Sequence, residues 1–221
     1  MPDLVGVIPA AGRGVRAYPY TSTIPKCMLE VDGVPLVRRN VELMRDELGI
    51  TDIRVVVGHR GDVIQGALGD GGALGVRLRY VHNPRLDLEL PYSVHLGTRG
   101  IRTFCCVILA DECYVGSNHR ELLDAPFASA LATCGFIESD NPRHIRKNYV
   151  GIFADGRIVA LEEKPAVVTS SLMGTGTYIL HPDLLARLEH TYADGMERGP
   201  RDWTSWLGAR CSGRSGSVAR T

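Results

Sequence analysis

The residues best suited to chemistry in this 221-residue chain gather near its start: Ala10, Ala11, Gly12, Arg13, Gly14, Val15 and Arg16, then Pro25 and Lys26. Small residues let backbone N–H groups approach phosphate oxygens, and Arg16 and Lys26 add fixed positive charge. Such a segment suits a polyphosphate, or forms a solvated turn carrying two surface cations; spacing alone does not choose. Gly12 to Ala17 formally satisfies the dinucleotide fingerprint GxGxxG/A behind a strand, but that motif needs a helix to begin there. Pro19 and Pro25 each remove a backbone donor and disfavour helix for the preceding residue, so a long loop is expected instead. No Lys, Ser or Thr follows the glycines at Walker spacing.

Several later groups could complete a site. Asp111 follows the apolar run Phe104 to Leu109 and can offer one carboxylate to a hard cation such as Mg²⁺, which otherwise keeps water and phosphate oxygens. Glu112 is adjacent, although neighbours on an extended segment point opposite ways. His119 reads as part of a turn capped by Ser117. Glu162, Glu163, Lys164 would in isolation be a solvated charge run ahead of Pro165. Gly174 and Gly176, flanking Thr175 in a strand pattern, suggest close approach of a ligand, with a β-bulge as the alternative. Tyr92 and Ser93 either frame a base or start a helix capped by Ser93.

The elements that must position these groups alternate between strand and helix. Leu4 to Ile8, Ile53 to Val57 and Phe104 to Leu109 read as buried strands, with Val76 to Val81 a further one; Pro35 to Leu48, Asp62 to Leu68 and Ser93 to Gly100 read as helices. Ala128 to Cys134 and Met173 to Leu180 are expected as strands, Tyr149 to Ala154 and Arg157 to Leu161 as a hairpin around Asp155 and Gly156, and Pro182 to Leu188 as a helix. The fold class is therefore α/β, a three-layer Rossmann-like sandwich with a mostly parallel mixed central sheet and a ligand at the strand C-termini. One domain is expected over 1–207, with 208–221, rich in Gly, Ser and Arg, as a mobile tail.

Composition narrows the partners. Lys plus Arg and Asp plus Glu each number 25, so no net positive field favours nucleic acid or an anionic membrane. No apolar run approaches the length of a membrane span and Asp3 stands where a signal peptide would be basic, so the chain is expected to be cytoplasmic. The six cysteines lack a CxxC spacing and read as buried free thiols.

Ala10 to Arg16 followed by Pro25, Lys26, Met28, Leu29, Val31, Gly33, Pro35 and Leu36 resembles the signature of the sugar-phosphate nucleotidyltransferase (nucleotide-sugar pyrophosphorylase) family. The likeness continues through Gly58, Asn83, Pro84, Asp111, the Glu163, Lys164, Pro165 triplet and Gly174 to Tyr178. It implies a GT-A-like fold and transfer of a nucleotidyl group from a nucleoside triphosphate to a sugar-1-phosphate or similar phosphorylated small molecule, with release of pyrophosphate. It further implies that Ala10, Ala11, Gly12, Arg13 and Gly14 cradle the triphosphate. Arg16 would contact its distal phosphates, and Lys26 would lie at the reacting α-phosphate. Asp111 would hold Mg²⁺ or Mn²⁺, and Glu163 and Lys164 would bind the sugar phosphate beside Gly176. Between Asn83 and Gly97 the pattern is closer to the phosphocholine and polyol-phosphate cytidylyltransferase branch than to enzymes using uridine or thymidine triphosphate. Many relatives associate, so a homo-oligomer is an expected partner.

The likeness breaks at the end. Family members normally continue with a further strand and an Asn- or Asp-rich segment that brings a second carboxylate to the metal, and here Asp202 is the late candidate ligand. Two other functions share the same fold and site. One is a metal-dependent enzyme acting on a finished nucleotide sugar (a pyranose/furanose mutase, an epimerase or a GT-A-type glycosyltransferase), and the other a non-catalytic nucleotide-sugar-binding subunit.

Overall fold

A computed structural model describes residues 3–124, 129–154, 157–193, 203–211 and 217–220. The first half alternates β1 (Leu4–Ala10), the short hairpin β2 (Glu30–Val31) and β3 (Val34–Pro35), α1 (Leu36–Asp46), β4 (Asp52–Val57), α2 (Gly61–Leu68), β5 (Arg77–His82), α3 (Leu90–Thr98) and β6 (Phe104–Ile108). The second half holds β7 (Ala132–Glu138), α4 (Pro142–Ile145), β8 (Tyr149–Ala154), β9 (Arg157–Glu163), β10 (Leu172–Leu180), α5 (Pro182–Ala193), α6 (Trp203–Cys211) and β11 (Ser217–Arg220).

Apart from the β2–β3 hairpin, which pairs only with itself, these strands form one mixed sheet in the order β11-β7-β10-β6-β1-β4-β5, with β8 joining β10 to β9. β6, β1, β4 and β5 run parallel, whereas β10 is antiparallel to both β6 and β7. Alternation along the strands divides the core into two faces. Val7, Val56, Cys105 and Val107 pack with Val94, Leu184, Leu188 and Trp203 from α3, α5 and α6. Ile8, Val55, Val57, Cys106 and Ile108 pack with Val37, Val41, Met44 and Ile64 from α1 and α2. Burial on both faces explains the continuous apolar runs and gives the three layers expected from the sequence.

Several boundaries differ from the expected ones. α3 begins at Leu90, after Glu89 and with Pro91 in its first turn, so Ser93 is an interior helical residue rather than a cap. β7 runs later than expected, through Gly135 to Glu138. Gly135 does not break it, because β10 passes so close that a Cβ there would meet Thr175 Oγ1 at 2.6 Å. Within 208–221, expected to be a mobile tail, the described residues 208–211 complete α6 and Ser217–Arg220 form β11, which pairs in parallel with β7. Burial of Trp203, Trp206 and Leu207 drives that helix, the two indoles stacking 5.5 Å apart. Asp155 and Gly156 lie outside the described residues, but β8 and β9 on either side pair antiparallel as a hairpin requires. Cys27, Cys105, Cys106 and Cys134 are buried free thiols, whereas Cys113 is exposed because it follows β6 in a loop. No helix among the described residues is long and apolar enough to cross a membrane.

Candidate active site

A cleft of about 370 Å³ opens at the C-terminal ends of β1, β5 and β6, lined among others by Ala11, Gly12, Gly14, Ser93, Lys26 and Asp111. Its position follows from topology: β1 and β6 are neighbours, and the chain leaves β1 towards β4 but leaves β6 towards β7 on the opposite side, which opens a crevice at their ends.

The glycine loop is the floor of this cleft. The prolines act as expected: two short 3₁₀ turns, Val15–Ala17 and Lys26–Met28, take the place of a crossover helix. Gly14 adopts φ +62°, a left-handed conformation that glycine reaches without strain. The Thr21 hydroxyl donates to the Gly14 carbonyl at 2.9 Å, the His59 N–H donates to the Ala11 carbonyl at 3.3 Å, and the Arg60 guanidinium donates to the Thr23 carbonyl. Arg13 is exposed. Arg16 belongs to the first 3₁₀ turn, and its side chain lies outside what is described.

Gly12 is the informative glycine, since a Cβ there would have nothing within 4 Å. The protein's own packing does not require glycine at this point in the cleft. Gly12→Ala should therefore leave the melting temperature unchanged or slightly raised, while weakening nucleotide binding by about tenfold through lost backbone approach to phosphate. Paired thermal-melt and calorimetric titrations check this; unchanged nucleotide affinity would remove Gly12 from the contact surface.

Opposite the loop, Lys26 Nζ donates to Asp111 Oδ2 at 2.6 Å, joining residues 85 positions apart. Their side chains are 43% and 39% exposed, so the pair adds at most about 1 kcal/mol to stability. Its importance is placement of a cation and an anion side by side in the cleft. Asp111 sits on a tight turn closed by the Glu112 N–H donating to the Leu109 carbonyl at 3.2 Å, while the Leu109 N–H donates to the Gly176 carbonyl of β10 at 2.9 Å. Asn40 of α1 reaches the same turn from the other side, donating to the Leu109 and Glu112 carbonyls at 3.1 and 3.2 Å.

Glu112 has different surroundings from its neighbour. Its Cγ lies where a Cβ on Gly176 would come within 2.7 Å, and burial, reinforced by the Asp111 charge and opposed by Lys26, pushes its carboxyl up. The expected ligand approach at Gly176 is thus replaced by a protein contact: Glu112 and Leu109 fill the space, and the β10–β7 register shifts between Gly174 and Tyr178. Beneath the turn, Thr177 Oγ1 lies 2.9 Å from both Tyr114 Oη and His119 Nε2. Burial pushes His119 down to about 4, so this imidazole is neutral at physiological pH. Asn118 stands at the N-cap position of the short helical turn beside it without a side-chain capping bond, and it is the Ser117 hydroxyl that accepts from the His119 N–H at 3.3 Å. Burial, with the Asp111 charge adding to it, raises the Cys27 thiol to about 12, so the thiol next to Lys26 is not a nucleophile.

The far wall comes from the end of β5 and the start of α3. The buried Asn83 amide donates to Ser93 Oγ at 2.9 Å, and its Oδ1 accepts from the Arg85 N–H at 2.8 Å, so Ser93 is fixed in the cleft wall. Tyr92 does not frame this wall. Its ring packs edge-on against Tyr192 of α5, with centroids 5.3 Å apart, and tilts against His95.

Glu163 and Lys164 form an ion pair of 2.6 Å at the end of β9 and are not among the residues lining the cleft. Lys164 holds φ +47°, uncommon for a residue with a side chain, and its N–H donates to the Asn148 carbonyl at 2.6 Å. Asp202 lies outside the described residues.

The donor set fits a hard cation held mainly by substrate. Among the described residues no group of three His, Cys, Asp or Glu side chains converges on one point. Asp111 offers one carboxylate at the cleft, the number Mg²⁺ takes when phosphate oxygens and water supply the rest.

In backbone shape the chain resembles a Bacillus anthracis protein solved with sucrose, with a TM-score of 0.81, 24% identity and coverage of 99% of this chain and 87% of that one. It also resembles a UDP-glucose pyrophosphorylase solved with UDP-glucose, with a TM-score of 0.80, 23% identity and coverage of 99% and 90%. These likenesses define the class of fold, a Rossmann-like α/β sandwich. Residues 5–217 match the nucleotidyl transferase family, and the chain belongs to that family. Among curated relatives, a UTP–glucose-1-phosphate uridylyltransferase of Synechocystis sp. is 30% identical over 195 residues, 81% of this chain and 49% of the relative. A glucose-1-phosphate thymidylyltransferase of Streptomyces griseus is 28% identical over 174 residues, 78% of this chain and 48% of the relative. An N-acetylmuramate alpha-1-phosphate uridylyltransferase of Neisseria meningitidis is 34% identical over 139 residues, 63% and 54% of the two chains. The chain spans about half the length of these curated relatives.

Proposed function

We propose that the chain transfers a nucleotidyl group from a nucleoside triphosphate to a sugar-1-phosphate, or to a similar phosphorylated small molecule, and releases pyrophosphate. The observation that carries this reading is the Lys26–Asp111 pair across the cleft from an unobstructed Gly12. An acceptor phosphate oxygen would attack the α-phosphorus while the bond to the β-phosphate breaks and its electron pair leaves with pyrophosphate. Both reacting partners are anionic, so the barrier is largely electrostatic. Mg²⁺ or Mn²⁺ held by Asp111 would neutralise non-bridging phosphate oxygens when bound. Lys26 would turn from Asp111 to the α-phosphate, the backbone N–H groups of Ala11 to Gly14 would hold the β- and γ-phosphates, and Arg13 and Arg16 would stabilise the departing pyrophosphate. Glu163 and Lys164 would bind the acceptor.

The wall of Asn83 and Ser93, with Leu86, Leu88 and Leu90, is suited to a flat base. The named relatives use uridine and thymidine triphosphates, whereas residues 83–97 resemble the cytidylyltransferase branch, so the base is settled by assay. The protein is incubated with Mg²⁺ or Mn²⁺ and UTP, dTTP, CTP, ATP or GTP against a panel of sugar-1-phosphates and polyol phosphates, and pyrophosphate is measured. Release with one triphosphate and one acceptor class is expected. Absence of release from every pair, with ring interconversion of an added nucleotide sugar, would replace this reading by the mutase.

A further inference from the structure

We infer that Asn40 is the positioning residue of the metal-binding turn: from the core of α1 it fixes the main chain on both sides of Asp111. The inference rests on the nucleotidyl-transfer reading and adds to it a residue outside the cleft.

Asn40 is only 1% exposed and stands on the α1 face that otherwise buries Val37, Val41 and Met44. A buried primary amide is costly unless its hydrogen-bonding groups are used. Here both donor contacts go to Leu109 and Glu112, the carbonyls that bracket Ala110 and Asp111. The turn is thereby gripped from two layers of the fold. β10 holds it through the Gly176 carbonyl, and α1 holds it through Asn40. An apolar residue would satisfy the α1 core equally well and would leave the turn attached on the β10 side alone. The Asp111 side chain itself is exposed and makes one ion pair, so its aim depends on the main chain beneath it. Groups that orient a metal ligand typically alter metal affinity or activity by about 10- to 100-fold when removed.

The test uses Asn40→Ala and Val41→Ala, the second removing buried volume from the same helix without touching the turn. Mn²⁺ binding is measured by titration in the presence of a non-hydrolysable nucleoside triphosphate, beside the melting temperature and the rate of pyrophosphate release. Both variants should melt lower than the parent. Asn40→Ala should also bind Mn²⁺ about tenfold more weakly, and its fall in turnover should disappear in an Asp111→Asn background, because two residues acting through one group are not additive. Val41→Ala should keep the parent's Mn²⁺ affinity. Equal Mn²⁺ affinities in parent and Asn40→Ala, or an undiminished Asn40→Ala effect on top of Asp111→Asn, would reduce Asn40 to a core residue and overturn the inference. Should Asn40→Ala fail to fold, Asn40→Ser retains a small polar group and must show the same Mn²⁺ deficit. Failure of the parent to bind Mn²⁺ with any triphosphate would overturn the function itself and the inference with it, whereas normal parental binding with no Asn40 effect overturns the inference alone.

Discussion

Asp111→Asn should lower the rate of pyrophosphate release by about 10²- to 10³-fold, the usual loss when one preorganised electrostatic group is removed from a transition state. Asparagine keeps the volume and one acceptor oxygen but removes the charge that a hard cation requires. The fold should not notice. Asp111 is an exposed residue whose ion pair with Lys26 adds at most about 1 kcal/mol, and the turn beneath it is held by main-chain bonds to β10 and by Asn40. The variant should therefore melt within a few degrees of the parent while its requirement for Mg²⁺ moves to higher concentration. Turnover and thermal melting measured on one preparation separate the two effects. Full activity in this variant would remove Asp111 from the site.

Asp111 and the glycine loop were legible in the sequence because each follows an apolar run short enough to be a buried strand, and parallel strands end at the crevice where ligands bind. Asn40 was not, although it interrupts the apolar face of Val37, Val41 and Met44 and so carries a visible signal. Its partners are carbonyl groups 69 and 72 residues away, and a carbonyl has no side-chain signature. Gly176 carries a related ambiguity: a glycine in a strand announces close approach, but not whether the approaching group is a ligand or, as here, Glu112 and Leu109 of the same chain. Tyr92 and Ser93 read as a pair in the sequence because the two are adjacent. Once α3 is seen to start at Leu90, adjacent helical residues face different directions. Ser93 then points to Asn83, and Tyr92 to Tyr192. The Gly-, Ser- and Arg-rich end read as mobile on composition, yet Ser217–Arg220 pairs with β7, a tertiary contact that local propensity does not encode.

Lys26→Met separates the two things that the Lys26–Asp111 pair does. Methionine keeps much of the aliphatic stem of lysine but cannot neutralise an α-phosphate, so pyrophosphate release should fall by about a hundredfold or more. In the free protein the effect has the opposite sign. Lys26 Nζ is bonded to Asp111 Oδ2 at 2.6 Å, so a cation arriving without nucleotide must compete with a resident ammonium group. With both side chains about two-fifths exposed, that competition amounts to no more than about 1 kcal/mol, a factor of about five in affinity. Lys26→Met should accordingly bind Mn²⁺ alone up to about fivefold more tightly than the parent while turning over far more slowly. Lys26→Arg, which keeps the charge but changes its shape, should lie between the two in rate and match the parent in Mn²⁺ affinity. Titration of Mn²⁺ into each free protein, beside single-turnover pyrophosphate release, gives both quantities. Weaker Mn²⁺ binding in Lys26→Met would show that Lys26 does not compete for Asp111, and unimpaired release would show that it does not act on the α-phosphate.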